Sequence, residues 1–137
     1  MFDLHRHDEY STFDGYGKAT ELAAYAKKLG YKSLCTTNHG NTNGLIQTYD
    51  ACKQAGLKPI LGVEGYVLPK WKEKTRGFHL IVIAKNLEGY GNMNRLQFAG
   101  EGQKYYNPIW DLELLKKYHK GLICTTACVA SYSSQAI

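Results

Sequence analysis

Apolar positions recur along the chain in short blocks, some spaced three to four residues apart and others at every second residue, with single glycines between them. Met1 to His7 alternates as a strand would, which puts His5 and His7 on one face. Leu22, Tyr25, Ala26 and Leu29 then fall at i, i+3, i+4 and i+7, so the spacing predicts a helix capped by Thr20 and stopped by Gly30. Tyr31 to Thr37 reads as a strand centred on Leu34 and Cys35, closed by the turn-forming run Asn38-His39-Gly40-Asn41. Thr42 or Asn43 caps a second helix with Leu45, Ile46, Tyr49 and Cys52 on its buried side and Gly56 at its end, and Leu57 to Val67 follows as a strand. Pro69 to Gly77 is a loop, and Phe78 to Ala84 is the clearest strand, with His79, Ile81 and Ile83 sharing a face. Asn86 begins a helical stretch through Leu96 that Gly89 and Gly91 should leave short or irregular. An aromatic-rich loop spans Phe98 to Trp110. Asp111 then caps Leu112 to Tyr118, with Leu112, Leu115 and Tyr118 on one side, and Leu122 to Thr126 is the last clear strand, followed by Ala127-Cys128.

Strands alternating with helices predict an α/β fold with a mainly parallel sheet, open or closed, joined by right-handed crossovers. At 137 residues, with no linker, long repeat or low-complexity segment, residues 1–137 are expected to form a single domain. A hydrophobic fraction of 44% excludes a disordered tail. The formal charge of +5 tilts the choice of partner towards anions such as nucleic acid or phosphate esters. The four cysteines, Cys35, Cys52, Cys124 and Cys128, form no Cys-x-x-Cys pair and read as reduced thiols, with Cys35 and Cys124 as small core residues and at most one of the four a ligand. The start of the chain lacks the organisation of a signal sequence, and the longest strongly apolar run, Leu80 to Ala84, cannot span a bilayer. A soluble, cytoplasmic protein without a membrane partner is therefore expected.

Candidate chemistry sits at the strand ends. Two imidazoles at positions i and i+2 of a strand lie roughly 6.5 to 7 Å apart, so His5 and His7 can converge on a metal or stand solvated on an edge strand. Asp14, beyond a turn-rich stretch, can curl back to add an oxygen ligand. His39 falls just past a strand, and Cys128 repeats that placement. Glu64 is a carboxylate inside an apolar strand; there it faces a metal or cation, or else it lies on the solvent side of an edge. His79 reads as a core residue or a further ligand, and it alone lies early in its strand. Lys70, Lys72, Lys74 and Arg76 surround Trp71, a run that either solvates a loop or contacts a nucleic-acid backbone.

Several stretches together resemble the polymerase and histidinol phosphatase (PHP) domain, in the form found at the N-terminus of the bacterial replicative DNA polymerase III alpha subunit. They are Leu4-His5-Arg6-His7-Asp8-Glu9-Tyr10-Ser11 with Asp14-Gly15, Thr37-Asn38-His39-Gly40-Asn41, Lys58 to Tyr66, His79-Leu80 with Ala84-Lys85-Asn86, and Thr126-Ala127-Cys128. The resemblance implies a distorted β/α barrel, of which this chain would supply roughly the first half to two thirds. It also implies a cluster of up to three zinc or manganese ions on His5, His7, Asp14, His39, Glu64, His79 and Cys128, with His5, His7, His39 and Glu64 at the chemistry and Glu64 bridging. The implied activity is metal-dependent phosphodiester hydrolysis at a DNA 3′ end within a replicative polymerase, with no polymerisation by these residues alone. Expected partners are DNA, the remainder of a polymerase or a complementing polypeptide, and a proofreading exonuclease subunit. The alternatives are an inactive scaffold and a free-standing histidinol-phosphatase-like enzyme. Two departures stand out: the family has Asp where Asn38 stands, which should cost metal affinity if that Asp orients the adjacent histidine, and it draws a further Asp and His from a strand expected beyond residue 137.

Overall fold

The computed structural model describes residues 3–135. Its elements are α1 (Ala19–Lys28), β1 (Ser33–His39), α2 (Leu45–Ala55), β2 (Lys58–Leu68), β3 (Phe78–Ala84), α3 (Leu87–Glu101), β4 (Ile109–Asp111), α4 (Leu112–Tyr118), β5 (Leu122–Thr126) and α5 (Tyr132–Gln135). The strands form one sheet in the order β1-β2-β3-β5. β4 pairs with β2 from Tyr66 to Leu68, on the edge that β1 has left at Glu64. The α/β class holds, but only β1-α2-β2 is a parallel crossover of the expected kind. β3 runs antiparallel to both β2 and β5, so one strand points against the other four. That reversal accounts for His79. In an antiparallel strand the early end lies beside the late end of its neighbour, and His79 pairs with Tyr66, two residues past Glu64.

Alternation along β2 divides the molecule. Val63 and Val67 point into a core with Leu45, Val82, Met93, Leu96 and Trp110, which the helices cover. Glu64 and Tyr66 therefore face the other side. A second core joins Ala19, Ala23 and Ala26 of α1 to Ala51 and Cys52 of α2 and to Leu34 and Leu57.

Several expected boundaries shift for identifiable reasons. Residues 3–8 are extended but form no strand; Met1 and Phe2 lie outside the described residues. The Thr37 N–H donates to Arg6 O at 2.8 Å, yet the Cys35 carbonyl accepts from the Arg6 guanidinium instead of a backbone amide, so no ladder propagates. Lys18, not Thr20, precedes α1, with its N–H donating to Glu21 Oε2. The buried face of α1 is its alanines, which allow close helix packing, while Tyr25 and Leu29 are exposed. Gly44 in left-handed conformation, not Thr42 or Asn43, starts α2, whose Ile46 and Tyr49 face outward while Thr48 and Ala51 are buried. β1 runs on to include Asn38 and His39, and the aromatic loop contains β4. Asp111 caps α4 as expected, accepting from the Leu114 N–H at 2.9 Å, although Leu112 is exposed. Cys35 and Cys52 are buried, whereas Cys124 is exposed on β5.

The helix α3 is regular for 15 residues despite its glycines. A Cβ on Gly89 would stand 1.8 Å from the Gly121 carbonyl oxygen, so the glycine lets α3 meet the turn before β5. Gly89→Ala should therefore destabilise the fold by about 2 kcal/mol or more, although alanine raises intrinsic helix propensity by about 1 kcal/mol. Thermal unfolding followed by circular dichroism checks this, and an unchanged or raised midpoint would contradict the close approach.

Candidate metal centre

Glu64, with 0% of its surface exposed, sits at the centre of the sheet face away from the helices. Its Oε2 lies 2.9 Å from His5 Nε2, 3.1 Å from His7 Nε2 and 3.2 Å from His39 Nδ1. Its Oε1 lies 2.7 Å from His79 Nδ1 and 3.9 Å from Cys128 Sγ. Cys128 Sγ is 3.4 Å from His79 Nδ1, and Asp14 Oδ2 is 2.7 Å from His39 Nε2. The structure thus brings together all seven residues selected from the sequence.

Each arrives by a definite route. His5 and His7 share a face across the intervening Arg6, whose guanidinium is held on the opposite side by Cys35 O at 2.8 Å and Thr36 Oγ1 at 2.9 Å. The loop after His7 is folded by the Ser11 N–H on Asp8 O at 2.9 Å and the Gly15 N–H on Ser11 O at 2.8 Å, which returns Asp14 towards His39. A Cβ at Gly15 would lie 1.8 Å from Asp8 O, so this return admits no side chain. Phe13, beside Asp14, holds a positive φ of 80°, a strained conformation for a bulky residue. His39 and Glu64 are register partners across β1 and β2. The His7 and His39 rings stack 4.3 Å apart.

Burial alone would push the Glu64 carboxyl upward, but hydrogen bonds from His7 and His5 and the fields of His39 and His5 outweigh it and hold it at about 2. Burial also opposes charging of His7, yet the hydrogen bond and charge of Glu64 raise its pKa; for His39 burial wins and the pKa falls. Burial, with Glu64 and Asp14 nearby, pushes the Tyr66 hydroxyl to about 12, so it stays protonated at 3.2 Å from His39 Nδ1.

Three sets of donors are close enough to share an ion: His5, His7 and Glu64; His7, Asp14 and His39; and His39, Glu64 and His79. Donors on a tetrahedral ion with bonds of about 2.0–2.1 Å stand roughly 3.3 Å apart, near the spacing found here. No Lys or Arg nitrogen pairs with Glu64 among the described residues. A buried carboxylate ringed by imidazoles is a donor set that fits a divalent cation.

Sequence reasoning missed the supporting residues. Ser11 Oγ lies 3.1 Å from His7 Nδ1 and accepts from the His39 N–H at 2.9 Å, linking the two histidines; its place four residues after His7 was the available signal. Asn38 does not orient His39. Its side chain, 0% exposed, meets the carboxylate of Asp8, itself 1% exposed: Asn38 Nδ2 donates to Asp8 Oδ1 at 2.7 Å and to Asn43 O at 3.2 Å, and Asn38 Oδ1 accepts from the Asp8 N–H at 3.0 Å. A buried carboxylate thus does lie beside position 38, on Asp8 rather than at 38 itself.

Comparison with known proteins identifies a family and a shared fold. The PHP domain profile matches residues 3–137. The DNA polymerase III subunit alpha of Borreliella burgdorferi is 40% identical over 135 residues, covering 92% of this chain and 12% of that protein. The same subunit of Helicobacter pylori strain 26695 is 43% identical over 132 residues, covering 92% of this chain and 11% of that protein. This chain therefore spans only 11–12% of the length of these relatives. A crystal structure from Bifidobacterium adolescentis, described as that of a metal-dependent phosphoesterase, superposes with a TM-score of 0.54 at 22% identity over 73% of this chain and 32% of that one, which shows a shared fold. On its profile, its relatives and its fold, the chain belongs to the PHP domain family, in the form carried by DNA polymerase III alpha subunits.

Proposed function

We propose that the chain is a divalent-metal-dependent phosphodiester hydrolase module of a replicative DNA polymerase, releasing nucleotides from a DNA 3′ end. The observation that carries this reading is Glu64: a fully buried carboxylate with ring nitrogens of four histidines within 3.2 Å and, among the described residues, no Lys or Arg paired with it. A purely structural role gives no reason to bury such a set. His5, His7, Asp14, His39, Glu64 and His79 would hold the ions, with Cys128 beside His79, and the mixture of imidazole, carboxylate and thiol suits zinc or manganese better than magnesium. When bound, such ions supply Lewis acidity and an activated water for in-line attack at phosphorus. Ser11 holds the His7 ring through Nδ1, which directs Nε2 into the cluster. The protonated Tyr66 hydroxyl is a donor at the edge of the site, available to a phosphoryl oxygen. The polymerase setting rests on the relatives, and contact with a proofreading subunit belongs to the proposal alone.

Metal analysis by mass spectrometry and 3′-exonuclease assays in manganese, on the wild type and on His7→Ala, test the reading. The wild type should purify with metal and shorten a single strand from its 3′ end, and His7→Ala should bind metal at least tenfold more weakly, on the order of the loss seen for even a supporting partner. A metal-free, inert wild type would leave only a scaffold. Hydrolysis of phosphomonoesters but not of DNA would point to a small-molecule phosphatase.

A further inference from the structure

Beside the histidine cluster lies a cleft of about 310 Å³, lined by Tyr66, Arg76, His79, Tyr105, Tyr106 and Asn107. It shares a wall with the cluster, because His79 contacts Glu64 and Tyr66 contacts His39. The far wall has a different chemistry. Arg76 makes no ion pair among the described residues, and its guanidinium stands 5.3 Å from the centre of the Tyr106 ring. Tyr105 and Tyr106 meet edge to face at 4.6 Å. Tyr106 is 70% exposed and has a φ of +62°, a conformation that L side chains rarely adopt. An exposed ring held out by a strained backbone, with an uncommitted guanidinium on it, is poised for a ligand that is both planar and anionic.

The wall is also anchored. The Trp71 N–H donates to Gln103 O at 3.1 Å, which ties the basic loop 69–77 to the loop that carries the tyrosines. Asn107 Oδ1 comes so near Gly40 that a Cβ there would lie 2.9 Å away, seating the same loop against the turn after His39. Lys70, Lys72 and Lys74 precede Arg76 on the tied loop.

We propose that this cleft seats the terminal nucleotide of single-stranded DNA, with its base on the Tyr105–Tyr106 pair and its phosphate on Arg76, so that the adjoining ester faces the His79 side of the cluster. A phosphate without a base leaves the tyrosines unused, and a base paired in a duplex reaches them only by unpairing and unstacking, at a cost of a few kcal/mol. The inference rests on the phosphoesterase reading only for which ester is cut; the seat itself is a binding site.

Its test is fluorescence anisotropy of a short fluorescein-labelled oligothymidylate in EDTA, where no turnover occurs, beside thermal melts. Tyr106→Gly removes the ring and relieves the backbone, so its midpoint should hold or rise while affinity falls roughly 5- to 100-fold. Arg76→Ala should weaken binding about tenfold and lower the salt dependence by about 0.7 per decade. Thymidine monophosphate should compete better than inorganic phosphate. Wild-type affinity in both variants, absence of binding by the wild type, equal binding of duplex, or equal competition by phosphate would each overturn the proposal. If the chain carries no metal and cuts nothing, yet Tyr106→Gly still loses the oligonucleotide, the phosphoesterase reading falls and the nucleotide seat stands.

Discussion

Glu64→Gln is expected to leave a folded protein that neither loads metal nor hydrolyses DNA. Glutamine keeps the shape of the side chain but removes the buried charge that four imidazoles share. Charge stabilisation by bound ions is worth several kcal/mol at the transition state, so hydrolysis should fall roughly a thousandfold or more. The metal-free wild type supplies a second readout. With its folded pKa depressed from 4.5 to about 2, Glu64 contributes stability that is fully present above the unfolded value and is lost as pH falls through the folded one. The midpoint of the EDTA-treated wild type should therefore drop between these two values, and Glu64→Gln should lack that drop. Metal retained at wild-type stoichiometry, with activity, would remove Glu64 from the centre of the chemistry.

The second large effect belongs to a residue without a place in the cluster. Asn38→Asp installs the residue that the resemblance implies at this position, yet here it should harm the protein. The amide that donates to Asp8 at 2.7 Å becomes a second carboxylate, and both groups are buried. Replacing one partner of a buried pair in this way costs about 3–5 kcal/mol, which lowers the melting midpoint of a domain this size by roughly 10 °C or more. Adding Asp8→Asn restores a donor–acceptor pair with the roles exchanged, so the double variant should recover most of the stability. Additive losses in that cycle would show that the two side chains are not coupled.

What the sequence displayed and what it hid follow from the range of the forces involved. The period of β3, the stop at Gly56 and the cap at Asp111 are local and legible. The direction of β3 is not, since an isolated strand reads alike in parallel and antiparallel sheets; only the pairing of Tyr66 with His79 explains why a ligand at the start of one strand meets ligands at the ends of others. The irregular helix expected at Gly89 failed because the reason for that glycine lies 32 positions away, at Gly121. The stripe on α1 held at Leu22 and Ala26 but misled at Tyr25 and Leu29, because close packing selected the small side chains of Ala19, Ala23 and Ala26. In the site, chemistry-bearing residue types announced themselves, but Asp8 and Tyr66 act through hydrogen bonds that no spacing reveals.

The reversed strand also divides the cluster by distance along the chain. Glu64 and His79 lie 15 residues apart along the chain and meet when β2 and β3 zip together, whereas His5 and Glu64 lie 59 apart. Closing the longer loop costs about 1 kcal/mol more in chain entropy, and the segment bearing His5 and His7 is joined to β1 by a backbone bond at Arg6 rather than by a continuous ladder. One half of the cluster is thus a hairpin contact that closes a short loop, and the other is a docked arm that closes a longer one. An ion gripped by both halves would act as a clasp, closing a terminus that the backbone alone holds only lightly.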